Sequence, residues 1–281
     1  TLKYSELIDE HGNIDPWTSR RAKATDVYIA AGRGVETYEP RFTYHGFQFV
    51  EASGDLHIVS IEAVPIHADV KEAGRFRCSD PLIGQIQSNL RWSILNNLVS
   101  IPTDCCQRDE RTPCLMDSAR VEEAAIHNFD MHRYYRKWLG DIEDNMGRPD
   151  WGGDKVTLMW RLYWYYGDED VLRRYYETAK AYIDHLSSEH PDGIVDKGFG
   201  DWCAPGENIR QWLKKGKWIA TCYFAHSCGI AAEIAEMLGY GKDAARVRRW
   251  REKTIRAYRR VFTDGKGKLK NEFQTGYALP L

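Results

Sequence analysis

Residues 81–100 carry apolar side chains at positions 82, 83, 86, 90, 94, 95 and 98, which is the spacing of one helix face. Pro81 suits the first turn of this helix, and Ser79 or Asp80 can cap it. Further helical stretches cover about 118–145, 154–166, 169–189, 219–239 and 242–262, with weaker ones near 207–214 and from 272. Short turns with Gly, Pro and Asp connect them. The pattern therefore predicts a mostly α array of helical hairpins.

Residues 1–77 have a different pattern, rich in β-branched and aromatic side chains and punctuated by glycines. The apolar runs are 26–32, 36–54 and 56–70, which favour strands. Two or three strands rarely form a stable sheet alone. They belong either to a β-sandwich or to a sheet packed on the helices that follow. We expect residues 1–77 to be the end of a β-sandwich domain and 78–281 to be a helical domain.

The composition excludes several classes of protein. The chain has 281 residues with 39 Lys and Arg and 41 Asp and Glu, a formal net charge of −2. This balance argues against a nucleic-acid-binding protein, and no apolar run is long enough to predict a membrane span. The chain is rich in aromatic residues, with 10 Trp and 16 Tyr. Tryptophans beside carboxylates fit stacking on sugar rings, and filling a large core explains them equally well.

Cysteine usage and the polar start of the chain bear on cofactors and compartment. Seven cysteines at irregular spacing argue against a disulfide framework, and no Cys-x-x-Cys pair suggests a zinc site. We therefore expect neither a metal nor a cofactor. The first ten residues are polar and do not resemble a signal peptide, which favours the cytoplasm but leaves the localisation open.

The densest polar cluster is the stretch 103–117 between two predicted helices. It contains four carboxylates and two guanidinium groups within fourteen residues: Asp104, Asp109, Glu110, Asp117, Arg108 and Arg111. Crowded carboxylates resist losing their last proton, which suits a general acid near neutral pH. The alternative is a salt-bridged loop that ties helix ends together. The residues alone favour neither.

Two short loops place a tryptophan beside an aspartate, at Trp151–Asp154 and at Gly200–Trp202. An aromatic ring next to a carboxylate can hold a pyranose, with the C–H face on the ring and the hydroxyls on the acid. The alternative is a tryptophan that fills a helix junction beside an N-capping aspartate. For either loop alone this alternative is favoured, but together with the polar stretch 103–117 they make three polar loops on one side of a helical array, which favours a sugar site.

The string IPTDCCQRDERTPCLMDSARV, residues 101–121, resembles the signature loop of the bacterial α-L-rhamnosidases of glycoside hydrolase family 78. The string EPRFTYHGFQFVEASG resembles the strand segment before that family's catalytic barrel, and NEFQTGYALPL resembles a stretch within it. The two tryptophan loops resemble the family's WGD and GDW loops. The resemblance spans essentially the whole chain. It implies a partial (α/α)6 toroid preceded by a short β segment.

The resemblance also implies a role for each of seven side chains. Glu110 would be the general acid that protonates the departing oxygen of a terminal α-L-rhamnoside. The others would hold the sugar, by polar contact from Asp104, Arg108, Asp109 and Asp117 and as aromatic walls from Trp151 and Trp202. An inverting hydrolase needs a second carboxylate to activate water. The resemblance places this base beyond residue 281, so we expect a catalytic region truncated at its C-terminus.

The expected substrate is a rhamnose-containing glycoside. The alternatives are a non-catalytic truncated paralogue that binds sugar or acts as a subunit, and another carbohydrate-active enzyme, such as a lyase, on the same toroid. The chain predicts about eight helices where a closed barrel of this type has twelve. An open barrel edge exposes apolar helix faces, so we expect a homodimer or a complementing chain. Neither nucleic acid nor a membrane is expected as a partner.

Overall fold

The computed structural model describes residues 1–55, 57–112, 115–142 and 147–280. The chain divides into two compact units. Unit 1 comprises Thr1–Cys114 with His127–Phe129, and unit 2 comprises Leu115–Ile126 with Asp130–Leu281. The domain boundary expected after residue 77 stays a prediction. Among the described residues, no helix is both long enough and apolar enough to cross a membrane.

Unit 1 contains two small antiparallel sheets. In the first, strand β1 lies between β4 and β5, and in the second β2 pairs with β3. The strand bounds are β1 Leu2–Ser5, β2 Leu7–Ile8, β3 Ile14–Asp15, β4 Thr25–Asp26 and β5 Phe49–Ala52. A short 3-10 turn, Trp17–Ser19, follows β3. Tyr4 of β1 is buried and stacks on His45 with 4.1 Å between the ring centroids.

The strands in the structure are shorter and fewer than the sequence predicts for residues 1–77. Residues 57–70, which belong to the predicted run 56–70, contain no strand, and Leu56 lies outside the described residues. Their apolar side chains face solvent, with Val59 at 71% and Val64 at 70% exposed. Apolar alternation gives a strand only where a neighbouring strand and a core receive the side chains.

Helix α1, Pro81–Asn96, begins where the sequence predicts. The side chain of Asp80 accepts a hydrogen bond from the Leu82 N–H at 2.8 Å, so Asp80 is the N-cap. Pro81 occupies the first helical position, where its missing N–H costs nothing. The end of the apolar stripe is buried at Ile94 and at Leu98 just beyond the helix.

The remaining helices alternate with short turns and confirm the mostly α, helical-hairpin prediction. Their bounds are α2 Leu115–Asn128, α3 His132–Asp141, α4 Pro149–Gly152, α5 Asp154–Tyr166, α6 Glu169–Glu189, α7 Ile209–Lys214, α8 Gly216–Met237, α9 Gly241–Phe262 and α10 Gln274–Ala278. Helix α8 is the central element of unit 2, since it packs against α4, α5, α6 and α9. Its fully buried side chains include Phe224 and Ile234.

The single helix predicted over 118–145 is wrong, because the chain breaks between α2 and α3. Phe129 leaves the helix and forms an antiparallel bridge with Glu72. Asp130 then accepts a hydrogen bond from the His132 N–H at 3.2 Å, and α3 begins at His132 with Met131 as its N-cap. Periodicity alone did not reveal this break, since apolar spacing continues across it. The predicted end at 143–145 lies outside the described residues.

The two hairpin turns that look alike in sequence are capped differently. Gly167 ends α5 at a φ of 66°, and the Asp168 side chain caps α6 by accepting from the Val171 N–H. At the second turn the N-cap is Tyr240. Asp243 lies inside α9 and accepts a hydrogen bond from the Tyr176 hydroxyl at 2.9 Å. An acidic residue follows the glycine in both turns, but it is the N-cap only at the first.

Candidate active site

The polar loop of unit 1 folds back on itself. Leu98 and Pro102 form an antiparallel bridge at its base. The Asp104 N–H donates to the Thr112 carbonyl at 3.3 Å, and the Cys105 N–H donates to the Glu110 carbonyl at 3.1 Å. These contacts turn the chain between residues 105 and 110, which brings the side chains at the two ends of the turn close together.

Arg108 joins two of the carboxylates predicted to be functional. Its Nη2 lies 2.7 Å from Glu110 Oε2 and 3.5 Å from Asp104 Oδ2. A second guanidinium reaches Glu110, since Arg20 Nη1 lies 3.0 Å from the same Oε2. The side chain of Glu110 is 36% exposed and that of Asp104 is 16% exposed. We call Arg20, Asp104, Arg108 and Glu110 the ion-pair network.

Asp109 contacts the N-terminal segment rather than Arg108. Arg21 Nε donates to Asp109 Oδ2 at 3.0 Å. The same turn is fixed from another side, because Arg111 lies over the ring of Tyr44, with 4.1 Å between its Cζ and the ring centroid. The four predicted residues of this loop thus lie in one polar cluster, which is built from segments distant in sequence.

Two members of the network also belong to a trio with potential metal-ligand atoms. One ligand atom each of Asp104, Cys105 and Glu110 lies within 4.8 Å of the other two. Burial, with the Asp104 hydrogen bond, raises the pKa of Cys105 to about 12, so its thiol stays protonated and is a poor ligand. Arg108 and Arg20 already balance the carboxylates. We therefore interpret the trio as two carboxylates of the ion-pair network with the Cys105 thiol donating to one of them, and the expected absence of a metal or cofactor stays a prediction.

In unit 2 the two predicted tryptophans lie side by side. The ring centroids of Trp151 and Trp202 are 6.0 Å apart, with the ring planes at 79°. Phe199 contacts both, at 4.5 Å from Trp151 and 5.7 Å from Trp202, and Trp212 lies 5.3 Å from Trp202. We call these four rings the aromatic cluster. Trp202 is 43% exposed, so part of the cluster is open to a ligand.

A buried aspartate holds the loop that carries Phe199. Asp150 Oδ2 accepts hydrogen bonds from the N–H groups of Phe199 at 2.6 Å and Gly200 at 3.1 Å. Asp150 is 2% exposed, and this burial raises its pKa despite both hydrogen bonds. Gly200 has a φ of +78°, and a Cβ there would lie 2.1 Å from the Trp212 carbonyl oxygen. Only glycine fits this turn.

The aspartates beside the two tryptophans serve the protein rather than a sugar. Asp201 Oδ2 lies 3.2 Å from Lys215 Nζ, and its Oδ1 accepts from the Thr275 hydroxyl at 2.7 Å. Lys215 also lies 2.6 Å from Glu207 Oε1. Asp154 is 5% exposed within the helical core. Neither acid is the N-cap that the sequence suggested, since Gly153 is the N-cap of α5 and Asn208 that of α7.

Asp117 lies in the first turn of α2 and is exposed. A carboxylate in this position interacts favourably with the N-terminal end of the helix dipole.

Several residues of these clusters were missed from the sequence. Arg20, Asp150, Phe199 and Lys215 are far from the residues they contact, and nothing local marks them. One signal was available, because Arg20 and Arg21 form an adjacent basic pair in the β-rich segment. Such a pair is a natural partner for an acidic loop elsewhere in the chain.

The helical hairpins of this chain are those of a six-hairpin glycosidase. Residues 71–281 match the bacterial alpha-L-rhamnosidase 6 hairpin glycosidase domain, and residues 1–67 match the bacterial alpha-L-rhamnosidase concanavalin-like domain. The chain belongs to the bacterial alpha-L-rhamnosidase family, as the resemblance of its motifs predicts.

Individual relatives agree with this assignment. An alpha-L-rhamnosidase of Streptomyces avermitilis is 33% identical over 303 residues, covering all of this chain and 29% of the relative. The solved alpha-L-rhamnosidase of Dictyoglumus thermophilum has a TM-score of 0.87 at 39% identity, over 94% of this chain and 32% of that one. The Streptomyces avermitilis enzyme solved with L-rhamnose has a TM-score of 0.88 at 32% identity, over 99% of this chain and 28% of that one. The chain thus spans about a third of the length of these relatives.

Proposed function

We propose that this chain forms part of an inverting α-L-rhamnosidase, in which Glu110 is the general acid that releases a terminal α-L-rhamnose. The observation that carries the proposal is the ion-pair network around Glu110. It holds a partly exposed carboxyl on a folded-back loop in a chain of the rhamnosidase family. An acid that protonates a departing oxygen has to be held in place and yet be reachable.

The remaining predicted residues take substrate-binding roles in this proposal. In unit 1, Asp104, Arg108 and Asp109 bind sugar hydroxyls, since their side chains supply acceptors and donors beside Glu110. In unit 2, Trp151 and Trp202 are the aromatic walls, which fits their contact and the partial exposure of Trp202. Asp117 is a further sugar-site carboxylate, which fits its exposed position in the first turn of α2.

The proposed reaction needs a second carboxyl group. In an inverting hydrolase a general base activates water on the face of the sugar opposite the acid, roughly 6.5–9.5 Å away. The proposal assigns this base to polypeptide outside residues 1–281, in keeping with relatives about three times as long. Glu110 gives its proton to the departing oxygen while water attacks the anomeric carbon. The product is rhamnose with inverted anomeric configuration.

A second candidate function is sugar binding without turnover. One observation favours it, because the aromatic cluster lies in unit 2 and the ion-pair network lies in unit 1. Stacking on the tryptophans can therefore persist in a chain that does not cleave the bond.

We also propose self-association or a complementing chain, since apolar side chains such as Leu82, 66% exposed, face solvent. Sedimentation of the chain alone and with added C-terminal polypeptide tests this.

The experiment measures hydrolysis of an aryl α-L-rhamnoside by residues 1–281, alone and fused to the C-terminal part of the Dictyoglumus thermophilum relative. We expect rhamnose release by the fusion, with the first product seen by NMR as the β anomer. Glu110→Gln should lower kcat by at least about 100-fold. The exposed Glu252→Gln is the matched control and should keep the full rate. Full activity in Glu110→Gln, or an α anomer as first product, would overturn the proposal. Binding of L-rhamnose by a fusion that never turns over would favour the second candidate.

A further inference from the structure

Two buried carboxyl groups face each other between α2 and the start of α5. Glu122 is fully buried and Asp154 is 5% exposed, and the two carboxyl groups are close enough for each to influence the pKa of the other. Glu122 Oε1 and Asp154 Oδ1 are buried, and no donor among the described residues reaches either oxygen. Two ionised carboxylates would leave both oxygens without a donor, whereas one retained proton can satisfy both. We therefore expect these two oxygens to share one proton.

The other two oxygens of the pair have donors. Arg161 Nη1 lies 2.5 Å from Glu122 Oε2 and also donates to the Ala119 carbonyl at 3.1 Å. The Ser118 hydroxyl donates to Asp154 Oδ2 at 3.4 Å. One guanidinium balances one carboxylate. A second negative charge at this depth would be uncompensated, which proteins avoid by protonating the group.

Among the described residues, Arg120 also favours the ionised form of Glu122, with a smaller effect than that of Arg161. On α2, Arg120 is exposed and donates to the Tyr223 hydroxyl of α8 at 2.6 Å, and the exposed Glu123 contacts Arg161. On α8, burial and then the nearby arginines lower the pKa of His226, so it is neutral. On α3, burial and then the two carboxyls raise the pKa of Tyr135, which stays protonated. The net charge of the buried pair with Arg161 is thus zero only when one carboxyl keeps its proton.

We propose that Glu122 and Asp154 share one proton at neutral pH and act as positioning residues for the candidate sugar site of unit 2. The pair joins α2, which carries Asp117 five residues before Glu122, to the turn that carries Trp151 three residues before Asp154. It thereby fixes the spacing of two side chains proposed to hold the sugar. This role rests on the proposed function, whereas the shared proton itself does not.

The shared proton has a consequence for stability. Burial, together with the neighbouring Glu122, raises the pKa of Asp154 well above its usual value. The unfolded chain loses this proton near pH 4, but the folded chain keeps it to a higher pH. Folding stability from this group therefore falls as the pH rises from about 4 through the folded-state pKa.

The test compares Asp154→Asn, Asp154→Ala and the exposed control Asp170→Asn in urea unfolding of the full chain, from about pH 5 to about pH 9. An asparagine amide donates to Glu122 without a titrating proton, and its oxygen still accepts from Ser118. We expect Asp154→Asn to keep the fold and to show a flatter fall of stability with pH than the wild type. Asp154→Ala should be markedly less stable, and Asp170→Asn should follow the wild-type slope. An unchanged pH slope in Asp154→Asn would overturn the shared proton.

Two measurements test the positioning role. KM and kcat can be measured in the active fusion. Binding of L-rhamnose can be measured in any form of the chain by the quenching of tryptophan emission. Asp154→Asn should keep KM within about twofold, and Asp154→Ala should raise it roughly tenfold with a smaller change in kcat. Equal loss of sugar affinity in both variants would overturn positioning. The unfolding measurement needs no activity, so failure of Glu110 as general acid leaves the shared proton standing.

Discussion

Arg20 Nη1 lies 3.0 Å from Glu110 Oε2, although the two residues are 90 positions apart in sequence. Arg20 follows the 3-10 turn at a φ of 51°, a conformation that costs a non-glycine residue energy. Such a conformation persists where surrounding contacts hold it. The N-terminal segment therefore takes part in orienting the proposed acid, and this gives it a role beyond its small sheets.

Replacing Arg20 with Met should affect turnover more than stability. The side chains of Arg20 and Glu110 are 53% and 36% exposed, so the pair stabilises the fold by at most about 1 kcal/mol. Freeing the Glu110 carboxyl to move should lower kcat/KM roughly tenfold in the active fusion. Arg21→Met, next in sequence, removes a contact to Asp109 instead and is the matched control. A loss of more than about 2 kcal/mol in urea unfolding of Arg20→Met would make the contact structural.

A pair of glycine variants separates backbone strain from steric conflict in unit 2. Gly200 and Gly206 have nearly equal φ angles of +78° and +76°. A Cβ at Gly206 meets nothing within 4 Å, whereas a Cβ at Gly200 would lie 2.1 Å from the Trp212 carbonyl oxygen. We expect Gly206→Ala to cost about 1–2 kcal/mol in urea unfolding. Gly200→Ala should cost more and should also shift tryptophan emission, because the aromatic cluster has to move. Equal costs would mean that the turn relaxes freely around Trp212.

Much of the fold follows from local pattern. Apolar spacing and capping residues define α1, α5, α6 and α9 to within a few residues, because a helix depends on neighbours in sequence. The extent of the strands and the break after α2 did not follow, because both depend on distant partners such as the bridge between Glu72 and Phe129. An apolar run without a partner strand in the described residues, as at 57–70, looks the same in sequence as a run that pairs.

The sequence likewise predicted the local part of the candidate site and not the part that depends on distant contacts. The closeness of Asp104, Arg108 and Glu110 is local, so one loop of sequence was enough to suggest it. The resemblance assigned Trp151 and Trp202 as aromatic walls but did not predict their contact with each other. The contacts of Asp150 to Phe199 and Gly200 were not predicted either. Buried polar residues such as Asp150 are found only when a structure shows which N–H groups need an acceptor.

Asp168 provides a pH dependence of the opposite sign to that of Asp154. Burial acts to raise its pKa, but hydrogen bonds from His132 and the Val171 N–H, together with the charge of Arg136, outweigh it and lower the pKa. The stability it contributes is therefore present above pH about 4 and is lost as the pH falls through the lower folded value. Asp168→Asn retains an N-capping side chain but loses the charge.

We expect Asp168→Asn to be less stable than the wild type at neutral pH, with the difference shrinking in acid. Urea unfolding at several pH values measures this. Asp170→Asn, whose carboxylate is 73% exposed, should show little change at any pH. A difference that stays constant down to the acid range would mean that Asp168 acts as a cap alone.

We expect substitution of Lys215 to destabilise unit 2 strongly. It is 7% exposed, its Nζ contacts Asp201 and Glu207, and it lies 4.8 Å from the centroid of the Phe273 ring. Lys215→Met leaves two partly buried carboxylates without their cation, which should cost about 3 kcal/mol in urea unfolding. It should also weaken quenching of tryptophan emission by L-rhamnose, since Asp201 precedes Trp202.

The controls for Lys215→Met are a double variant and a neighbouring lysine. Adding Glu207→Gln removes one of the two unpaired negative charges, so the double variant should recover part of the lost stability. Lys214→Met, the exposed neighbour, should change neither stability nor binding. A Lys215→Met protein as stable as Lys214→Met would show that this buried cluster contributes nothing to holding the loop of Trp202.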